Sequence, residues 1–129
     1  NMDDQRKFKI FLEVVRELNK SFNQIPILFG SLGLTRAINW DGEVHDIDFL
    51  VPKDFLEEKW QPLISLMESM GFSLEDEHEH AFIRDEESVA FGEEDDLKRL
   101  AQVDPKDLKI TDIDGVKFRE LSANQYLTV

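Results

Sequence analysis

Cysteine is absent from this chain of 129 residues, so neither a disulfide framework nor thiol chemistry is available to it. The absence is compatible with a reducing compartment, and we expect a cytoplasmic protein. No apolar run approaches the roughly 18 residues of a membrane-spanning helix, and no basic start followed by an apolar stretch indicates a signal peptide. We therefore expect no membrane partner.

Basic residues are also few, since 15 Lys and Arg stand against 28 Asp and Glu, which gives a net charge of −13. Binding to duplex phosphates depends on clustered Lys and Arg, so we expect no broad nucleic-acid surface. A small substrate carried with Mg²⁺, or a cationic acceptor, fits an acidic surface better. The preference between those partners is weak, because a field of one sign does not select a ligand.

The length corresponds to one domain, and 41% hydrophobic residues with ten Phe are typical of a globular core. Apolar residues at steps of three and four predict an amphipathic helix over residues 3–22. A second helical pattern runs from Asp54 to Met70, and Pro62 inside it predicts a late start or a kink. Three short alternating segments in the second half predict strands at Phe72–Asp76, His80–Arg84 and Ser88–Phe91.

Three turn and cap signals complete the pattern. Residues 85–87 form a tight polar connection between the last two of those strands, and Asp114-Gly115 predicts a hairpin because Gly adopts positive φ at little cost. Ser122-x-x-Gln125 is a capping box that opens a final helix. That helix has barely begun where the sequence stops at Val129, so we expect the natural chain to be longer.

The most informative segment contains two short apolar strands separated by a turn, a helix and a loop. The first strand ends at Gly30-Ser31, and the second begins with Asp46 and Asp48 on either side of Ile47. Successive residues of a strand point to opposite faces, so both carboxylates point the same way while Ile47 points into the core.

This order of residues has a chemical meaning. Two neighbouring carboxylates repel each other unless a cation lies between them, and a divalent cation that prefers oxygen ligands fits that position. Gly30 lets the backbone approach a ligand closely, and the Ser31 hydroxyl and the following N–H groups can hold phosphate oxygens at a helix start. Taken singly, Gly-Ser is typical of a helix N-cap and Asp-x-Asp of a solvated strand end, but together they favour a nucleotide site.

The segment resembles the hallmark of the nucleotidyltransferase superfamily, the DNA polymerase β-like fold. The resemblance implies that Gly30 and Ser31 contact a triphosphate and that Asp46 and Asp48 hold Mg²⁺. It also implies an α/β (α+β) fold with a mixed, mostly antiparallel sheet and helices largely on one face. The implied activity is transfer of a nucleotidyl group from an NTP to a hydroxyl of a small molecule or a protein. The whole chain is similar to small bacterial members of this superfamily.

The third carboxylate of that superfamily is not evident. Active members place one more Asp or Glu on a later strand, where it completes the metal site and deprotonates the attacking hydroxyl. The position that we align with it is Ala90, which can do neither. Glu79, expected on the preceding strand between two histidines, is our candidate substitute, with Glu93 and Glu94 as alternatives. A second hypothesis is therefore a catalytically degenerate domain that binds a nucleotide or a protein partner.

Two weaker features remain. His78 and His80 would share a strand face and could bind Zn²⁺ with His45, although a solvated pair on an acidic surface is the more ordinary interpretation. Arg36 and Lys53 flank the proposed site and could contact phosphates, but such residues are more often plain surface residues.

Overall fold

The computed structural model describes residues 1–129 and contains five α-helices and one seven-stranded sheet. The helices are α1 (Met2–Phe22), α2 (Gly30–Ile38), α3 (Trp60–Ser69), α4 (Asp95–Ala101) and α5 (Ala123–Tyr126). The strands are β1 (Ile27–Phe29), β2 (Ile47–Val51), β3 (Ser73–Asp76), β4 (Ala81–Arg84), β5 (Glu87–Glu93), β6 (Lys109–Ile113) and β7 (Val116–Glu120). None of the helices combines the length and the apolar character needed to cross a bilayer.

The sheet is mixed and mostly antiparallel, which confirms the predicted fold class. Its strand order is β3-β4-β5-β2-β1-β7-β6. The pairs β2–β5 and β1–β7 are parallel, and the other four neighbouring pairs are antiparallel. The two central strands, β1 and β2, are those that the Gly-Ser and Asp-x-Asp motifs predicted.

The two faces of the sheet are covered unequally. On one face Phe49 and its neighbours in alternate positions of β2 belong to a large core with residues of α1 and α3. On the other face Leu50 belongs to a smaller apolar cluster with Leu97 and Ala101 of α4, and Tyr126 of α5 packs against that cluster. Because α4 and α5 are short, most helical residues lie on the first face, as predicted.

Stacked phenylalanine rings fix α1 on the sheet. The ring of Phe11 lies 4.7 Å from that of Phe49, which lies 5.0 Å from that of Phe91. Phe118 meets Phe11 edge-on at 5.1 Å. These geometries are the favourable offset and edge-to-face arrangements of aromatic pairs, and they connect α1 to β2, β5 and β7.

The structure explains how Pro62 is accommodated. Residues 53–56 form a separate 3₁₀ turn, and α3 begins only at Trp60, so the proline falls in its first turn. The N–H groups of that turn have no partner within the helix, and the missing N–H of Pro62 therefore costs no hydrogen bond. The prediction of a late helix start is confirmed.

The predicted turn and cap signals of the C-terminal part are also confirmed. Asp114 and Gly115 have φ values of 52° and 86° and connect β6 to β7 as a two-residue hairpin turn. Ser122 and Gln125 form both hydrogen bonds of a capping box at the start of α5.

The connection between β4 and β5 is one residue shorter than predicted. Only residues 85–86 form the turn, while Glu87 begins β5 and is 5% exposed. Its carboxylate accepts hydrogen bonds from the Lys7 ammonium at 2.5 Å and from Arg6 Nε at 3.0 Å. Lys7 is 8% exposed, so a buried ion pair connects the start of α1 to the sheet. Sequence reasoning missed this pair because it joins charges 80 residues apart.

We expect Glu87→Ala to lower the free energy of unfolding by about 3–5 kcal/mol, because it leaves the Lys7 ammonium buried without its main partner. The double variant Lys7→Met/Glu87→Leu should recover most of that loss. Urea unfolding of the wild type, Lys7→Met, Glu87→Leu and the double variant measures the coupling. Additive losses in the double variant would contradict this account of the pair.

Candidate nucleotide and metal site

The site is formed where β1 ends and α2 begins. Phe29, the last residue of β1, is paired with Asp48 of β2, and Gly30 follows with φ 67°. A Cβ on Gly30 would overlap Asp48 Oδ2 and would lie 3.0 Å from the Asp48 carboxyl carbon. Position 30 therefore requires glycine for two reasons, which are the positive φ and the close approach of the backbone to the carboxylate.

Asp46 and Asp48 form the expected acidic pair, but in different environments. Asp46 lies just before β2 and is exposed, whereas Asp48 lies within the strand and is half-buried. Burial raises the pKa of Asp48 to about 6, and the nearby charge of Asp46 adds to the effect. Ionised Asp48 is thus destabilised in the fold, which is the condition in which a bound cation would be favoured.

Ser31 is held in position by the loop before β2. Its Oγ accepts a hydrogen bond from the backbone N–H of His45 at 3.2 Å. The Ser31 hydroxyl proton consequently remains free to be donated elsewhere. No side chain caps α2, whose N-cap residue Phe29 is apolar, so the first turn of this helix has the free donors that an anion requires.

Ala90, the position that we aligned with a third carboxylate, lies on β5 beside Asp48. Ala90 of β5 is paired directly with Asp48, and Ala81 of β4 is paired with Ala90. Glu93 is paired with Val51, three residues further along the strand, which corresponds to about 10 Å. Glu94 lies beyond it, so the proposed substitution by either residue is not supported by the strand register.

Glu79 does not lie on a strand, which corrects the prediction. Residues 77–80 form an exposed turn between β3 and β4, and the Glu79 N–H donates to Asp76 at 3.2 Å. The chain had been expected to remain extended there, but His80 adopts φ 53° and turns it back. Glu79 therefore lies before the start of β4, and β5 separates β4 from β2 in the sheet.

The same turn removes the predicted shared face of His78 and His80. His78 is exposed, whereas the ring of His80 packs edge-on against Trp60 at 4.8 Å. His45 is exposed in the loop near Ser31. No group of three or more His, Asp or Glu side chains is arranged to hold a metal ion, and the zinc interpretation has no support.

Arg36 and Lys53, the two flanking cations, are engaged elsewhere. Arg36 donates to Glu120 with Nε at 3.0 Å and Nη2 at 3.2 Å, and its guanidinium lies 4.4 Å from the centre of the Phe8 ring. Lys53 lies past the far end of β2, within 3.9 Å of Glu57. Neither residue is directed to Asp48 by these contacts.

Glu120 is a buried carboxylate that sequence reasoning missed. It is 8% exposed and accepts hydrogen bonds from both Arg36 and the Thr111 hydroxyl. Burial alone would raise the pKa of Glu120, but these hydrogen bonds and the charge of Arg36 lower it below its ordinary value. The residue thus remains ionised and is held against Arg36 in the last turn of α2.

Tyr126 is the second residue that was missed. It lies in α5, and its ring stacks on that of Phe29 at 6.3 Å. Its hydroxyl oxygen is buried without a hydrogen-bond partner, against the Cα of Gly33 in the first turn of α2. The only sequence signal was the capping box that positions α5, and this signal does not reveal which residues the helix meets.

An apolar cavity of about 260 Å³ lies on the same sheet face. Its lining includes Phe29 and Leu50, which are neighbours of Asp48 across and along the strands, together with Leu97 and Ala101 of α4. On one side, the acidic pair therefore lies next to the apolar lining of this cavity. On the other side lie residues of β5 and β4 that are only half-buried.

We expect Asp48→Asn to raise the free energy of unfolding at pH 7.5, without divalent cations, by on the order of 2 kcal/mol. The pKa of Asp48 is higher in the folded protein than in the unfolded chain, so ionised Asp48 destabilises the fold. This destabilisation is absent below about pH 4, grows between pH 4 and 6, and is constant above pH 6. Urea unfolding of wild type and variant across this pH range measures the difference.

Asp107→Asn, at an exposed position, is the matched control and should change stability little at any pH. A variant that is less stable than the wild type at pH 7.5, or a difference that does not vary with pH, would show that Asp48 is not strained by burial.

Comparison with known proteins identifies one informative relative. No protein-family model matches the chain, and no solved structure matches it. It is 38% identical over 119 residues to "Uncharacterized protein YnaI" of Bacillus subtilis (strain 168), an alignment that covers 92% of this chain and 76% of the relative. Identity at this level over most of both chains shows common descent, and the chain belongs to the same family as YnaI.

Proposed function

We propose that this domain binds an NTP together with Mg²⁺ in a nucleotidyltransferase-type site formed by Gly30, Ser31, Asp46 and Asp48. The reaction of such a site is transfer of a nucleotidyl group to a hydroxyl of a small molecule or a protein, with release of pyrophosphate. An NTP and Mg²⁺ are both available in the cytoplasm, which is the location that the proposal requires.

The observation that carries the proposal is the contact between the Gly30 backbone and the Asp48 carboxylate. It brings a helix start with free N–H groups next to a pair of carboxylates, although 14 residues, 32–45, separate the two motifs in the sequence. Anion donors beside cation ligands are what a triphosphate carried with a divalent cation requires. Neither feature alone would distinguish this ligand from a simple helix cap or a solvated strand end.

The residues present fit the metal. The carboxylate oxygens of Asp46 and Asp48 are ligands of the kind that Mg²⁺ prefers, and the raised pKa of Asp48 indicates a charge that lacks compensation. When bound, Mg²⁺ would supply charge neutralisation at the phosphates. In this proposal the Ser31 hydroxyl and the first-turn N–H groups of α2 donate to phosphate oxygens, and Gly30 allows their close approach.

Ala90 favours a second candidate, a domain that retains nucleotide binding but has lost efficient transfer. Transfer requires that the attacking hydroxyl lose its proton to a base, and the residue opposite Asp48 has no group that accepts one. Binding needs only the two carboxylates and the helix start. Such a domain would use its nucleotide state to bind a protein partner rather than to modify an acceptor.

A thermal-shift panel with ATP, GTP, CTP and UTP, each with and without Mg²⁺, tests the proposed ligand. At 100-fold excess over the Kd, the best ligand should stabilise the wild type by about 2.7 kcal/mol, because it binds only the folded state. Asp48→Asn should lose this ligand-dependent shift although its melting temperature without ligand is higher. The exposed Asp107→Asn should retain the shift.

Two results would contradict the assignment. An undiminished Mg²⁺-dependent shift in Asp46→Asn/Asp48→Asn would show that nucleotide binds elsewhere. The absence of a shift with all four NTPs at millimolar concentration would exclude the site as a nucleotide site.

Ala90→Asp tests whether Ala90 is the reason why the domain would bind a nucleotide without efficient transfer. If the alanine is what limits the site, a carboxylate opposite Asp48 should tighten Mg²⁺ binding about tenfold or more, because a third oxygen ligand is added. The matched control is Ser65→Asp, which adds the same charge at an exposed position of α3, on the other face of the sheet. Isothermal titration calorimetry measures affinity, and pyrophosphate release reports any restored transfer. Equal Mg²⁺ affinities in both variants would show that Ala90 is not the missing ligand position.

A further inference from the structure

The apolar cavity beside the acidic pair is too large to be a packing defect. Its volume is about 260 Å³, whereas a water molecule takes about 30 Å³ of the liquid and native interiors contain few voids larger than one water. Six of its seven lining residues are hydrophobic. Pockets for drug-sized ligands begin at about 300 Å³, so this cavity fits a smaller apolar or aromatic group.

The cavity lies on the same face of the sheet as Asp48. Leu50, in its wall, is two residues further along β2, which corresponds to about 7 Å. Phe29, also in the wall, is the residue of β1 that pairs with Asp48. Leu97 and Ala101 of α4 complete the wall from above the sheet. A group bound at Asp48 and a group in the cavity are therefore close enough to belong to one molecule.

The strand order indicates which end of the proposed ligand lies there. β2 has β5 on one side and β1 on the other. Ala90, where a general base for the attacking hydroxyl would be expected, is on β5, so an acceptor would approach from that side. Gly30 and the cavity are on the β1 side. In an NTP the ribose and the nucleobase follow the phosphates, so the nucleoside end, and not the acceptor, is directed to the cavity.

The chemistry of the lining fits the faces of a nucleobase. Every nucleobase has an aromatic face that gains from burial against apolar and aromatic side chains. Asp96 is the one polar lining residue, and it accepts a hydrogen bond from Arg99 at 2.7 Å. Leu100, in the wall, is 71% exposed, so the cavity opens to water there. The polar edge of a nucleobase can thus stay hydrated while its faces are buried.

We propose that this cavity binds the nucleobase of the NTP whose phosphates and Mg²⁺ lie at Asp48. The inference rests on the proposed function and adds to it the subsite for the other end of the ligand. Because the lining contacts faces rather than edges, the cavity selects by the apolar area of the nucleobase. ATP and GTP are therefore bound more tightly than CTP and UTP.

Inorganic triphosphate is the probe that separates the two ends of the ligand. It carries the phosphates and binds Mg²⁺ but has no nucleoside. Isothermal titration calorimetry in the presence of Mg²⁺ should give a Kd for ATP that is at least about tenfold lower than the Kd for triphosphate, because only ATP places an aromatic ring system in the cavity.

Two variants change the cavity and leave the acidic pair intact. Ala101→Leu places a larger side chain in the cavity and should abolish the preference for ATP over triphosphate. Its melting temperature without ligand should be unchanged or raised, because a void is filled. Leu100→Ala removes an exposed part of the wall and should weaken ATP binding about threefold with triphosphate binding unchanged. Because position 100 is exposed, this second variant decides the question if the first does not fold.

Leu127→Ala is the matched control for Leu100→Ala. Leu127 is 83% exposed and lies outside the cavity lining. The control should bind ATP and triphosphate with the affinities of the wild type.

The outcomes distinguish this inference from the proposed function. If the wild type binds ATP and triphosphate equally, or if both cavity variants keep the full preference for ATP, the inference is wrong and the proposed phosphate and metal site stands. A preference for CTP or UTP over ATP would also contradict the inference. If neither triphosphate nor any of the four NTPs binds with Mg²⁺, both the inference and the proposed function are wrong.

Discussion

The approach of the Gly30 backbone to the Asp48 carboxylate is the constraint on which the candidate site depends. It requires that β1 end where β2 begins, that the chain turn with positive φ, and that no Cβ be present. The approach also removes water from Asp48 next to a second carboxylate, which destabilises the ionised form. A cation bound there would compensate the charge of Asp48. The buried carboxylate, which destabilises the protein without ligand, would therefore favour ligand binding.

The rest of the fold holds these two strands in place. The rings of Phe11, Phe49 and Phe91 fix α1 over β2 and β5 on the side opposite the carboxylates. The buried pair of Lys7 and Glu87 ties the same helix to the sheet at another point. Helices cover the second face only partly, so Asp48 remains partly exposed although its neighbours in β2 are buried.

The site contains polar groups that the motif does not reveal, and it has no carboxylate opposite Asp48. Glu120 and the Tyr126 hydroxyl lie beside α2, yet the position opposite Asp48 is Ala90. Glu120 is an ionised carboxylate engaged with Arg36 and Thr111 and cannot itself bind a phosphate, and Ala90 provides no group that accepts a proton. This combination is more consistent with a nucleotide-binding domain than with efficient transfer.

The sequence by itself determined the local features. The periods of apolar residues, Pro62, Asp114-Gly115 and the capping box each act through a few neighbouring residues. The sheet class was not among these local features, because it was expected only from the resemblance of the Gly-Ser and Asp-x-Asp motifs to a known family. The local pattern was misleading at Glu79, because nothing in an alternating polar segment excludes a strand until the chain turns at His80. Only the tertiary structure decided that Ala90 faces Asp48, that Glu87 is buried and that Tyr126 reaches Gly33. Strand register and helix docking result from packing between residues far apart in the chain, which no local pattern encodes.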